Sequence, residues 1–256
     1  QLNTQFYSRL LFTTGGLLAI HKCVAYLLLF TWINGTKRMQ KVSDKYAPME
    51  IRQGITQDPD YIKIKDPWEA FRMLGAYVAP DGNVYLQVEI LYNKSKKWAL
   101  KINNSHLSPH DAYTAFELVL MPALVYPIGA IPITEDQCQR ILGPALQALL
   151  PKLGFSATLA RDLVHAPSRY GGPGLSNLYT YAGNARINMF IGHLRKRDAT
   201  ADILKISLGC CQQELGIGNN FLTKRYHKYG WLLQQCWLKE LWVFLDKIGG
   251  SLEIMD

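Results

Sequence analysis

Chemistry at phosphates or acyl groups requires particular side chains at particular spacings, and this chain offers few of them. Metal-dependent phosphoryl transfer needs carboxylates close enough to clamp the attacking and leaving oxygens. No two aspartates are adjacent anywhere in the 256 residues. The Gly-x-Ser-x-Gly, His-Glu-x-x-His and Walker patterns are also missing. Cys210 and Cys211 lack the spacing of a zinc knuckle, and Cys236 and His227 are too isolated to complete one. No metal or cofactor is therefore expected in this chain. Cys23 and Cys138 complete an odd, scattered set, which favours a reducing, intracellular compartment, nuclear or cytoplasmic.

The basic residues are more informative. The formal net charge is +8, which favours an anionic partner, nucleic acid or a membrane surface. Lys94, Lys97 and Lys101 recur at helical spacing and share a face, next to an apolar one that holds Val88 and Trp98. Such a face could track a phosphate backbone, or could be an ordinary solvated surface. Arg195, Lys196 and Arg197 end a helix, where cations also suit the negative end of the helix dipole. Lys224, Arg225 and Lys228 alternate with Tyr226 and Tyr229. That mixture fits a surface on which single-stranded bases stack, and equally a loop whose tyrosines dock on the core. The glycines of 171–174 read as a tight turn between helices, because Pro173 removes an N–H that a phosphate cradle would use.

The elements that must position these residues fall into two kinds. A short helix over 1–16 should stop at Gly15-Gly16. The apolar run from Leu17 to Ile33 is interrupted by His21 and Lys22, too short to span a bilayer, and predicts a buried strand over 23–32. Asn34-Gly35 marks a hairpin turn, and 36–66 reads as an exposed ribbon with short strands such as Tyr61–Ile64. A strand from Phe71 to Val78 meets a second turn at Pro80–Asn83. Helices follow. The first begins after Asn83, and the second is capped at Ser108-Pro109 and runs to about Met121. The third opens on the capping box of Thr134–Gln137, with Pro144 bending it and Pro151 ending it. Others cover about 178–195, 202–215 and 231–248. The last carries Trp231, Trp237 and Trp242 and is apolar over much of its circumference, so it is either buried or a contact surface for a protein partner. Strands first and helices after imply an α+β chain, mainly α.

Several segments, in order, resemble the reverse transcriptases of non-LTR retroelements. Thr14-Gly15-Gly16-Leu17-Leu18-Ala19-Ile20-His21-Lys22-Cys23 is similar to their palm motif in which a glycine-leucine stretch leads to a lysine before a strand. Met73-Leu74-Gly75-Ala76-Tyr77-Val78 is similar to their primer-grip strand, and the Asp81-Gly82 turn and a long helix follow, as in the entry to their thumb. The run from Ala166 to Leu178 resembles their post-thumb signature, with Pro173 where that family has leucine.

The resemblance implies a remnant of the palm sheet over 1–83, a helical thumb over 84–155 and a helical extension over 156–256. It implies RNA-directed DNA synthesis by the parent enzyme, with Mg2+ held by aspartates upstream of Lys22. The chain by itself would bind primer–template, RNA or an RNA–DNA hybrid, without polymerising. Lys22 is the one position of catalytic type, near the incoming triphosphate; the other reading is a salt-bridged lysine at a strand edge. Leu74 and Gly75 would join the cations named above in contacting nucleic acid. The alternative expectation is a domesticated, reverse-transcriptase-derived subunit of a protein or ribonucleoprotein assembly. Gln1 in place of Met implies a start within a longer protein or a processed terminus.

Overall fold

A computed structural model of the chain describes residues 2–55 and 58–254. Helix makes up 54% of it and every sheet has two strands, so the chain is α+β and mainly α, as its pattern implies. It divides into two compact units. One comprises residues 1–72 and 78–83, the other 73–77 and 84–256. The boundary expected after residue 155 falls inside the second unit.

The first unit opens on α1, Leu2–Thr13, which ends at the left-handed Gly15 as its glycine pair predicts. Two glutamines tie this region to neighbouring backbone. Gln5 pairs with both backbone groups of Arg52, accepting at 2.9 Å and donating at 2.6 Å. Gln53 does the same for Leu18. The expected strand over 23–32 is broken into β1, Ala25–Tyr26, and β2, Phe30–Ile33. The uninterrupted Leu27-Leu28-Leu29 has no alternation to keep one face inward. β2 is not buried either, since Phe30 and Trp32 are exposed.

β2 pairs antiparallel with β3, Thr36–Met39, around Asn34 and Gly35, both at positive φ. That is the two-residue turn these residue types demand. β4, Met49–Arg52, pairs with β5, Pro59–Ile62, and β6, Ile64–Lys65, lies parallel to β1. The result is separate ribbons among the described residues, where a single small palm-type sheet was expected. Asp66 takes the place of a larger core here. Its buried carboxylate accepts from Val42 N and Ser43 N, at 2.7 and 2.9 Å, and from the Ser43 hydroxyl.

The strand expected over 71–78 is a hairpin of β7, Phe71–Met73, and β8, Ala76–Val78. Leu74 and Gly75 turn the chain at φ 48° and 94°.

Helices build the second unit. α2, Tyr85–Asn103, buries Val88, Leu91, Ser95, Ala99 and Ile102 and packs on α5, Glu135–Lys152. α5 carries the full capping box, and Pro144 and Pro151 both lie within it. Ser108 caps α3, Pro109–Ala115. The helix expected to stop near Met121 continues, through a π-turn at Phe116–Leu120, into α4, Met121–Ile128. Pro122 offers no N–H to the preceding turn, and the chain widens so that Met121 N–H reaches Phe116 O instead.

After a short α6, Arg161–Val164, come α7, Leu178–Lys196, and α8, Ala199–Leu215. Asn177 caps α7, Asp198 caps α8, and Gly216 ends α8 in the left-handed region. α9 is one turn, Tyr226–Tyr229, and α10 covers Trp237–Lys247. The last helix is therefore shorter than predicted. Trp231 lies on a separate 3-10 turn and is 77% exposed.

Trp242 is fully buried. It donates its indole N–H to Lys224 O at 2.7 Å and meets Phe221 and Tyr226 edge-on. Trp237 donates to Gly129 O at 2.9 Å. Most of the apolar face of α10 is thus buried within the unit, with Trp237 half-buried. Among the described residues no helix is long and apolar enough to cross a membrane.

Candidate nucleic-acid interface

The hairpin tip and the lysine face of α2 meet through α4. Residues 73–77 group with the helical unit. The Tyr126 hydroxyl of α4 donates to Leu74 O at 2.7 Å, and Gln87 of α2 accepts from Tyr77 N–H at 2.6 Å. The Tyr126 ring lies over Gly75, where an added Cβ would come within 2.8 Å of it. Glycine is required there twice over, by φ and by the ring. Leu74 is held outward, 93% exposed, although its backbone sits in a region that costs a side chain about 1–2 kcal/mol.

The three lysines of α2 do not play equal parts. Lys94 donates to Ala123 O at 3.0 Å. That carbonyl would ordinarily bond the N–H four residues on, and position 127 is proline. Lys94 therefore completes α4 as well as adding charge. Lys97 and Lys101 are exposed, one helical turn apart, and make no ion pair among the described residues. Met73 and Tyr126 at the tip are also exposed, as are Leu118 and Val119 of the π-turn. The surface combines exposed apolar side chains with cations, and can offer flat contacts to bases or sugars and charge to phosphates.

The remaining cations sit elsewhere in the helical unit. Arg195, Lys196 and Arg197 are exposed at the end of α7, where Arg197 takes the left-handed cap position at φ 53°. Beside them His193 Nδ1 lies 2.8 Å from Asp198. That hydrogen bond, above all, holds the Asp198 carboxyl below the usual carboxylate value. Lys224, Arg225 and Lys228 are exposed, and Arg225 approaches Asp246 at 3.6 Å. Tyr226 and Tyr229 are half-buried against the core cluster that holds Trp242, and the Lys228 ammonium lies over the Tyr229 ring, 5.2 Å from its centre. No hydrogen bond or ion pair joins either cluster to the α2 face among the described residues.

Lys22 ends a 3-10 turn, Ile20–Lys22, of the first unit. It is exposed, and among the described residues no ion pair to it is found. Among the described residues no group of three or more His, Cys, Asp or Glu could hold a metal ion.

The glycine-rich segment is a turn whose N–H groups point inward. Gly174 N donates to Ala166 O and Leu175 N to Val164 O. Ser176 gives both its N–H and its hydroxyl to Glu117, at 2.9 and 2.6 Å. A Cβ on Gly172 would sit 2.2 Å from Ala166 O. With those donors used, no phosphate cradle remains.

Tyr126, Leu118 and Val119 were not foreseen as surface residues, because they lie in an apolar run whose helical phase the π-turn shifts. The prolines at 122 and 127 were the available signal. No protein-family model, curated protein or solved structure matches the chain.

Proposed function

We propose that this chain grips primer–template nucleic acid as the palm end, thumb and helical extension of a reverse transcriptase, and does not polymerise by itself. The observation that carries the reading is the Leu74-Gly75 tip, pinned by Tyr126 on the same unit as Lys94, Lys97 and Lys101. A tip held outward in a costly conformation is a reason to look for a contact there. The ordered resemblances along the chain supply the identity of the ligand, an RNA–DNA hybrid or RNA. Catalysis in the parent enzyme would use Mg2+ on aspartates that this chain does not carry, with Lys22 near the triphosphate.

Binding to a hybrid should be sequence-independent and fall with salt. Each phosphate neutralised contributes a log–log slope of about −0.9, so three or four contacts give roughly −3 to −4. Fluorescence anisotropy of a labelled hybrid across a salt series measures it. Changing Lys97 and Lys101 to Ala should flatten the slope by about 2. Absent or salt-insensitive binding would overturn the proposal.

A further inference from the structure

Two cysteines distant in sequence meet at a groove of the helical unit. Cys236 is the N-cap of α10, and its sulfur accepts Lys239 N–H at 3.4 Å. Cys211 is buried on α8, in the same hydrophobic cluster that Cys236 packs against. Both line a cavity of about 500 Å³ together with Cys210, and its walls include Leu204, Trp237 and Leu238. A cap sulfur at a helix N-terminus with a second thiol on the wall of the same cavity is the arrangement of a nucleophile and its resolving partner.

We propose that Cys236 and Cys211 form a reversible redox couple, which hydrogen peroxide converts to a disulfide joining α8 to the first turn of α10. The Cys236 thiolate attacks one peroxide oxygen. The O–O bond breaks, hydroxide leaves and takes up a proton as water, and a sulfenic acid stands on Cys236. The Cys211 sulfur then attacks the Cys236 sulfur. An S–S bond forms, the S–O bond breaks, and the hydroxyl leaves as water with the Cys211 proton. Two thiols are oxidised and one peroxide is reduced to two waters. A dithiol such as dithiothreitol reverses the change by exchange. The apolar walls favour a small neutral oxidant over a charged disulfide.

The groups around the pair agree with this assignment of roles. The neighbouring Cys211 thiol lowers the Cys236 pKa, against the opposing effect of burial, and the N–H groups of Lys239 and Leu238 lower it further. Glu214 acts in the opposite direction from α8. Cys236 and burial in turn raise the Cys211 pKa, so Cys211 keeps its proton until the second step. His193 of α7 and Cys210 face the same groove.

The test treats the full chain with hydrogen peroxide and maps peptides under non-reducing conditions by mass spectrometry. The expected product links Cys211 to Cys236, with the loss of two hydrogens, and dithiothreitol restores the free peptides. Cys210→Ser should leave the product unchanged. Cys236→Ser keeps an oxygen acceptor at the cap and should abolish it. In wild-type chain, iodoacetamide should alkylate Cys236 with a midpoint below the ordinary thiol value of about 8.5. A disulfide through Cys210, a Cys236 oxidised no faster than Cys23, or a midpoint at or above that value would each overturn the proposal. The wild-type measurements decide it even where a variant fails to fold.

Discussion

At the scale of single residues, the hairpin tip depends on one ring and one missing side chain. Gly75→Ala puts a Cβ against Tyr126 at a φ that alanine resists. It should destabilise the chain by about 1–3 kcal/mol, read as a lower urea midpoint. Tyr126→Phe loses the bond to Leu74 O and should cost about 1 kcal/mol. Buried charge is the second residue-scale theme. Arg186, fully buried, donates to Ile131 O and Ile133 O, while burial lowers its pKa. Burial also raises the pKa of Glu240, against the pull of the Gln235 side chain and Arg186. The folded state therefore holds the Glu240 proton more tightly than the unfolded state does. Its contribution to stability is full below the ordinary value of 4.5 and is lost as pH rises through the raised folded value. Glu240→Gln should remove that decline from urea midpoints measured across the window.

At the scale of elements, proline and its substitutes decide where helices go. Lys94→Met leaves Ala123 O without its donor and should cost about 0.5–1 kcal/mol. Pro127→Ala restores the backbone N–H, and in that background the same lysine change should cost almost nothing. A double-mutant cycle by chemical denaturation measures the coupling. This scale also shows what the sequence makes legible. The Ser108, Thr134 and Asn34-Gly35 signals each name a local hydrogen bond or φ requirement, and each is found where expected. The π-turn and the break at Leu74 have no such signal. A leucine at positive φ contradicts its own propensity, and the contacts of Tyr126 and Gln87 around it hold the tip. The end of α10 misleads for a related reason, because Trp231 continues the apolar pattern while Cys236 starts the helix afresh. The cysteine pair was unreadable for want of any spacing rule that joins residues on different helices.

At the scale of the whole molecule, apolar burial is uneven. In residues 1–72 the buried hydrophobic side chains are Val42, Ile51 and Ile62, whereas the helical unit encloses a continuous cluster around Phe190, Phe221, Leu241 and Trp242. Stability should follow that division. A fragment of residues 73–256, which retains the hairpin tip, should melt cooperatively by circular dichroism. Residues 1–72 alone should show no cooperative transition, since so few apolar groups cannot offset backbone entropy. The α+β, mainly α, class was legible because the switch from alternating to helical periodicity is sharp near Asn83. The assembly of the strands was not, because short ribbons with exposed faces carry little register information.

The widened turn at Phe116–Leu120 has one further meaning. A helix with a π-turn is, in effect, an α-helix holding one surplus residue. The surplus is absorbed where Leu118 and Val119 face outward, so Ala112 and Phe116 before it, and Leu124 and Ile128 after it, all stay buried. The helical unit thus accommodates an insertion without any change of phase in its core, and the displaced turn gives Glu117 the reach to hold Ser176.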